Sequence, residues 1–364
     1  MKKVRIIALI FALVFIQSNI VFASNILEKR YETSMINNCK DIVNVAMGDS
    51  ESFEISDFSE DNNLYIKMGI PVYESKENGI VNCKDVTFIP VVNNTEKMIG
   101  IIISTKDDNG NLNYEYNEKI AQKIMKSYTD LNHMSFILDK NHIWLKYNQS
   151  YVKILTYNTD IADRTTLNVN NNSLNRLTNS NSSIKTINLK TLTRDASTSK
   201  NLDVPVYLQS AGSSYCWACS AVSAGKYKKP NKNYTPEAIA REYAGNLTTP
   251  KPLSTVKTVL SEKYSVSSSM VTGKLKMSAV ISKINANKPI IPAISYGAGQ
   301  GGHAVVVSGY QQIPDSTSYV TIMDSLSGKR ILSVAYSSSS DREVKYYLPG
   351  STTKYNVVQY LIVG

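Results

Sequence analysis

The chain has 364 residues, 40 Lys+Arg against 30 Asp+Glu, a net charge of +10 and four cysteines. Beyond the first 23 residues no stretch is apolar enough to cross a membrane. No Cys/His cluster has zinc spacing and no recognition motif accompanies the charge, so metal and nucleic-acid roles lack support.

Met1 to about Ala23 reads as a secretory signal peptide. Lys2, Lys3 and Arg5 precede the apolar run Ile6–Ile16, and Val21-Phe22-Ala23 offers small residues at the cleavage positions. The chain is therefore expected to be secreted, extracellular or held at the cell wall.

Residues 24–157 read as an independent α+β domain. Leu64–Ile70, Asp85–Val92 and Met98–Ser104 have strand character, with a hairpin turn at Asp107–Asn111. Glu118–Tyr128 is an amphipathic helix with Ile120, Ile124 and Tyr128 on one face. Ile143–Leu145 and Tyr151–Leu155 close the set as strands. Residues 158–200 read as a flexible linker, rich in Asn, Ser and Thr, with exposed basic residues such as Arg176 and Arg194 open to proteolysis. In an exported chain the even cysteine count permits a Cys39–Cys83 disulfide.

Residues 201–364 carry the chemistry. Gln209, Cys216-Trp217, Gly302-His303 and Asp324 occur in that order. A thiol nucleophile needs a base, the base needs an acceptor to orient it, and an amide donor stabilises a tetrahedral oxyanion. A turn at Gly212-Ser213-Ser214 leads into a small-residue helix and places Cys216 at its N-terminus, where the dipole favours a thiolate. Cys219, three residues further on, reads as a core thiol. His303 is one of three histidines, preceded by glycines and followed by an apolar strand. Asp324 ends another apolar strand. Further helices are expected at Pro236–Tyr243, Leu253–Glu262 and Met277–Asn285.

On these residues the C-terminal half resembles the papain-like cysteine peptidases, especially the compact bacterial branches: staphopain-like secreted enzymes and the bacteriocin-processing type. The plant-type motif Cys-Gly-Ser-Cys-Trp is absent, with Ser213 and Tyr215 in that stretch, and Asp324 stands where papain has asparagine. The resemblance implies an α+β fold of two lobes, one helical and headed by the Cys216 helix, one a small antiparallel sheet carrying His303 and Asp324. It implies a cysteine endopeptidase without a cofactor, acting as a monomer on protein or peptide substrates. It also implies that residues 24–157 are a propeptide, an intramolecular inhibitor, with Ile187-Asn188-Leu189 lying in the cleft of the zymogen.

From Ser197 onward there are 18 Lys+Arg against 8 Asp+Glu, so this half is basic and suited to anionic wall polymers. That feature keeps open a peptidoglycan amidase or endopeptidase of the same Cys–His chemistry. A non-catalytic surface adhesion protein is the third reading.

Overall fold

The computed structural model describes residues 33–47, 63–76, 79–107, 110–126, 131–139, 142–147, 150–156, 184–189, 198–297, 302–312, 317–334 and 342–364. The signal segment, Tyr128 and most of the linker lie outside them. Residues 33–47 form a helix that crosses the boundary between a first unit, Met1–Asp41, and a second, Ile42–Gly364. The rest of the architecture belongs to the second unit.

The expected strands of the N-terminal segment form as Tyr65–Met68, Val86–Val92 and Met98–Lys106, and the last pairs with Leu112–Asn117 across the expected turn. Asp107 shapes that turn: its carboxylate accepts from Asn111 N–H at 2.8 Å and its carbonyl from Gly110 N–H at 2.8 Å. Gly110 has φ +82°, a conformation that a side chain disfavours. The helix forms over Glu118–Met125, where the Asn117 side chain caps it by accepting from Ile120 N–H at 3.0 Å. Ile120 and Ile124 are buried, as their spacing predicts.

A second, five-stranded sheet was less legible. It runs Gly79–Asn82, Val72–Lys76, Met134–Leu138, His142–Tyr147, Ser150–Thr156. Its strands Val72–Lys76 and Met134–Leu138 are parallel neighbours. The two sheets share one apolar core, in which the Phe88 and Phe136 rings stack with centroids 4.1 Å apart.

The first sheet does not stop at the N-terminal segment. Leu112–Asn117 pairs antiparallel with Gly328–Val334, matching Glu115 to Leu332, Tyr116 to Ile331 and Asn117 to Arg330. From there it continues through Ser318–Asp324, Val306–Gln312, Ile290–Ser295, Tyr355–Val363 and Ser268–Thr272, giving 14 strands in all. The small separate sheet expected of the C-terminal half is thus one end of a long one. Joining the two edges satisfies backbone groups on each. The two halves nevertheless keep distinct apolar cores.

Two linker segments are strands. Lys185–Asn188 pairs with Tyr65–Met68, and Leu189 is buried with its N–H on Leu64 O at 2.8 Å. Ile187-Asn188-Leu189 is therefore an edge of the N-terminal sheet, which corrects the expectation that it occupies a cleft. Thr198–Asn201 pairs instead with Val306–Gln312 of the C-terminal half. All four cysteines are free thiols.

The C-terminal helices form at Cys216–Lys228, Pro236–Ala244, Leu253–Tyr264 and Met277–Asn285, the last three within two residues of expectation. Thr235 caps the second with its side chain on Ala238 N–H at 3.2 Å, Pro236 opens it, and Gly245 in the left-handed conformation ends it. The Cys216 helix is buried from Trp217 to Gly225 and packs on helices Pro236–Ala244 and Leu253–Tyr264. Its small residues set that approach: a Cβ on Gly225 would lie 2.5 Å from the Tyr264 ring. Gly225→Ala gains about 1 kcal/mol of helix propensity, yet overpacking costs about 1–3 kcal/mol. The urea midpoint of Gly225→Ala is expected to fall; a rise would show that the helices are not in this contact.

Candidate active site

Cys216 opens its helix after Tyr215, which makes no side-chain cap. The first-turn N–H groups are thus not taken by a capping oxygen, and the Trp217 and Ala304 N–H groups hydrogen-bond the thiol. Tyr215 is buried and holds the helix start in place. Its hydroxyl donates to Glu237 at 2.8 Å and accepts from Ser210 N–H at 2.9 Å.

His303 sits in the short strand Gly302–Ala304, with Ile294 as its register partner. A Cβ on Gly302 would lie 2.5 Å from the Ile294 carbonyl oxygen, so a glycine is required for His303 to be held in this register. After Val305 the chain enters Val306–Gln312, which pairs Val306 with Met323 beside Asp324. This topology brings the imidazole to the carboxylate: His303 Nε2 lies 2.9 Å from Asp324 Oδ1. Its other face hydrogen-bonds the Cys216 thiol. The structure thus unites Cys216, His303 and Asp324.

Asp324 is fully buried. Oδ1 also accepts from Leu326 N–H at 2.9 Å, while Oδ2 accepts from Ser327 at 3.1 Å, Arg330 Nη1 at 2.8 Å and Tyr346 at 2.8 Å. Burial alone raises a carboxyl pKa, but here the charges of His303 and Arg330 and these donors hold it well below its ordinary value. Burial likewise disfavours imidazolium, yet Asp324 and the Cys216 thiolate outweigh it and lift His303 to about 10. Burial disfavours the Cys216 thiolate, and His303 with the two backbone donors outweighs that, lowering the thiol from 9.0. All three shifts act in the direction of a thiolate–imidazolium pair anchored on a carboxylate.

The signs fix where the arrangement is stable. His303 is raised, so its contribution is complete below 6.5 and lost as pH rises through about 10. Asp324 is lowered from 3.8, so its contribution is present above that value and lost as pH falls.

Gln209 is half-buried and bridges the two sides of the site. Its backbone N–H donates to Ser325 O at 2.9 Å and its Oε1 accepts from Ser325 Oγ at 2.7 Å. Nε2 donates to Ser213 O at 2.7 Å, in the turn before the Cys216 helix. Cys219 is buried in the core, and burial raises its thiol far above 9.0, which leaves it inert. Among the described residues no group of His, Cys, Asp and Glu is arranged to hold a metal.

Sequence reasoning missed Arg330, Ser327 and Tyr346. Arg330 carried a signal: Gly328, Arg330, Leu332 and Val334 alternate, so an inward face demanded a buried partner for the arginine.

Residues 201–347 match the model of the Peptidase_C39 like family, which points to a cysteine peptidase. A solved structure of a putative C39-like peptidase from Bacillus anthracis is similar over 38% of this chain and 99% of its own, at 14% identity and a TM-score of 0.27. No curated protein matches the chain.

Iodoacetamide is expected to alkylate Cys216 at neutral pH and to spare Cys219. In His303→Ala the midpoint of the rate–pH curve for Cys216 should rise by about 1–3 units. An unchanged midpoint would separate the imidazole from the thiol.

Proposed function

We propose that this chain is a secreted cysteine endopeptidase made as a zymogen, and that residues 201–364 adopt a papain-like catalytic arrangement. The observation that carries the reading is a single imidazole bonded to the Cys216 thiol on one side and to buried Asp324 on the other. Cys216 attacks the scissile carbonyl as a thiolate. His303, already protonated, gives its proton to the leaving amine, then takes one from the water that hydrolyses the thioester. Asp324 orients the ring and steadies its charge.

Gln209 fits the oxyanion role. The Ser213 carbonyl can only accept, so the amide nitrogen must face it. Its second N–H is then the donor for the oxyanion, together with the Cys216 N–H. The proposed substrates are proteins or peptides. The basic charge from Ser197 onward favours a second reading, a peptidoglycan amidase or endopeptidase acting on an anionic wall. Casein clearing against loss of wall turbidity separates the two.

Residues 24–157 are the propeptide in this reading. Strand Lys185–Asn188 pairs with the N-terminal segment and strand Thr198–Asn201 with the peptidase half, so processing belongs between them. The mature N-terminus recovered from medium is expected after Asn188 and no later than Thr198. A secreted protein that stays intact and fully active would remove the zymogen reading.

Steady-state kinetics on a fluorogenic peptide test the chemistry. Cys216→Ala and His303→Ala are expected to abolish turnover, while Cys219→Ala keeps most of it. Gln209→Ala should raise the barrier by about 2.7–4 kcal/mol, mainly in kcat. An active Cys216→Ala would overturn the assignment.

A further inference from the structure

We propose that Glu115, acting through Arg330, is a positioning residue for Asp324 in the uncleaved chain, so that the N-terminal segment reaches the candidate active site of the C-terminal half. The inference rests on the triad reading above but concerns residues outside it. Glu115 is fully buried on strand Leu112–Asn117, and Arg330 is fully buried on the paired strand Gly328–Val334. Arg330 Nε donates to Glu115 Oε1 at 2.8 Å and Nη2 to Oε2 at 2.7 Å, a bidentate fork. Nη1 donates to Asp324 Oδ2 at 2.8 Å. Nη2 also donates to the Tyr347 carbonyl at 2.6 Å. One planar guanidinium therefore bridges two carboxylates, one from each half of the chain.

The electrostatics require both acids. Asp324 must neutralise the His303 imidazolium, and it cannot fully serve a second buried cation as well. Glu115 gives the guanidinium a carboxylate partner of its own. Burial pushes the Glu115 carboxyl up, but the guanidinium fork and Asn117 Nδ2, at 3.1 Å from Oε1, stabilise the ionised form, which we assign. The groups facing this cluster are Cys216, His303, Tyr296, Tyr346 and Tyr347, with the Tyr346 and Tyr347 rings 5.1 and 5.9 Å from the guanidinium carbon. Burial holds the three tyrosines neutral, so Glu115 is the counter-charge to Arg330 apart from Asp324. A guanidinium deprived of Glu115 has Asp324 as its one anionic partner and competes with His303 for it.

The test is the full-length protein with Glu115→Gln, which keeps the side chain's shape and removes its charge. The readout is the His303 ring titration by proton NMR, the resonance being assigned by its loss in His303→Ala. Ring deprotonation is expected to move down from near 10 by about one unit. A wild-type ring titration in folded Glu115→Gln overturns the proposal. Because this readout needs no turnover, it stands even if the chain proves not to be a peptidase. If Glu115→Gln does not fold, Arg330→Lys keeps the charge but cannot bridge both acids. A displaced His303 titration is then expected, and an unchanged one overturns the proposal.

Discussion

A carboxylate removed from solvent is tolerable only when its charge is opposed and its lone pairs are filled, and Asp324 has both. His303, Leu326 N–H, Ser327, Arg330 and Tyr346 surround it with donors. Nearly every feature of the C-terminal half follows from building that environment. The strand Ser318–Asp324 delivers the carboxylate, the turn to Gly328 supplies two donors, and the returning strand brings Arg330 back to it. Once Asp324 is held ionised, the imidazole beside it is held protonated, and the thiol on the far side of the ring gives up its proton.

The charges form one line: Cys216, His303, Asp324, Arg330, Glu115, alternating in sign. In such an arrangement every charge has an opposite charge beside it, which is why five ionisable groups can share an interior. Removing any member leaves a neighbour uncompensated, and that costs far more than the pair contributes by existing. The line also crosses from one half of the chain to the other. The N-terminal segment is joined to the site's own supporting strand by backbone pairing and by a buried ion pair. It meets the catalytic centre from behind Asp324, by way of Arg330.

The candidate site was legible in the sequence because it uses rare residues in a fixed order. Cys216 before a small-residue helix, one glycine-preceded histidine and a strand-ending aspartate suffice to pick out the site. The helices Pro236–Ala244 and Met277–Asn285 were equally plain, through a Thr cap with Pro in the first and apolar spacing in the second. The sheet was not, since pairing of Leu112–Asn117 with Gly328–Val334 joins residues more than two hundred positions apart, and no local pattern encodes the partner. Glu115 could not be matched to Arg330 for the same reason. The strand Lys185–Asn188 was hidden by its polar composition; it is ordered by a neighbour's edge rather than by apolar burial of its own.

The central claim is that Asp324 stabilises a thiolate–imidazolium pair in the resting protein. The difference in far-ultraviolet thiolate absorbance between wild type and Cys216→Ala, followed from acid to alkaline pH, tests it most directly. The account predicts thiolate absorbance that develops below 9.0 and is present at neutral pH. Absorbance that develops only near 9.0, as for an ordinary thiol, would contradict it.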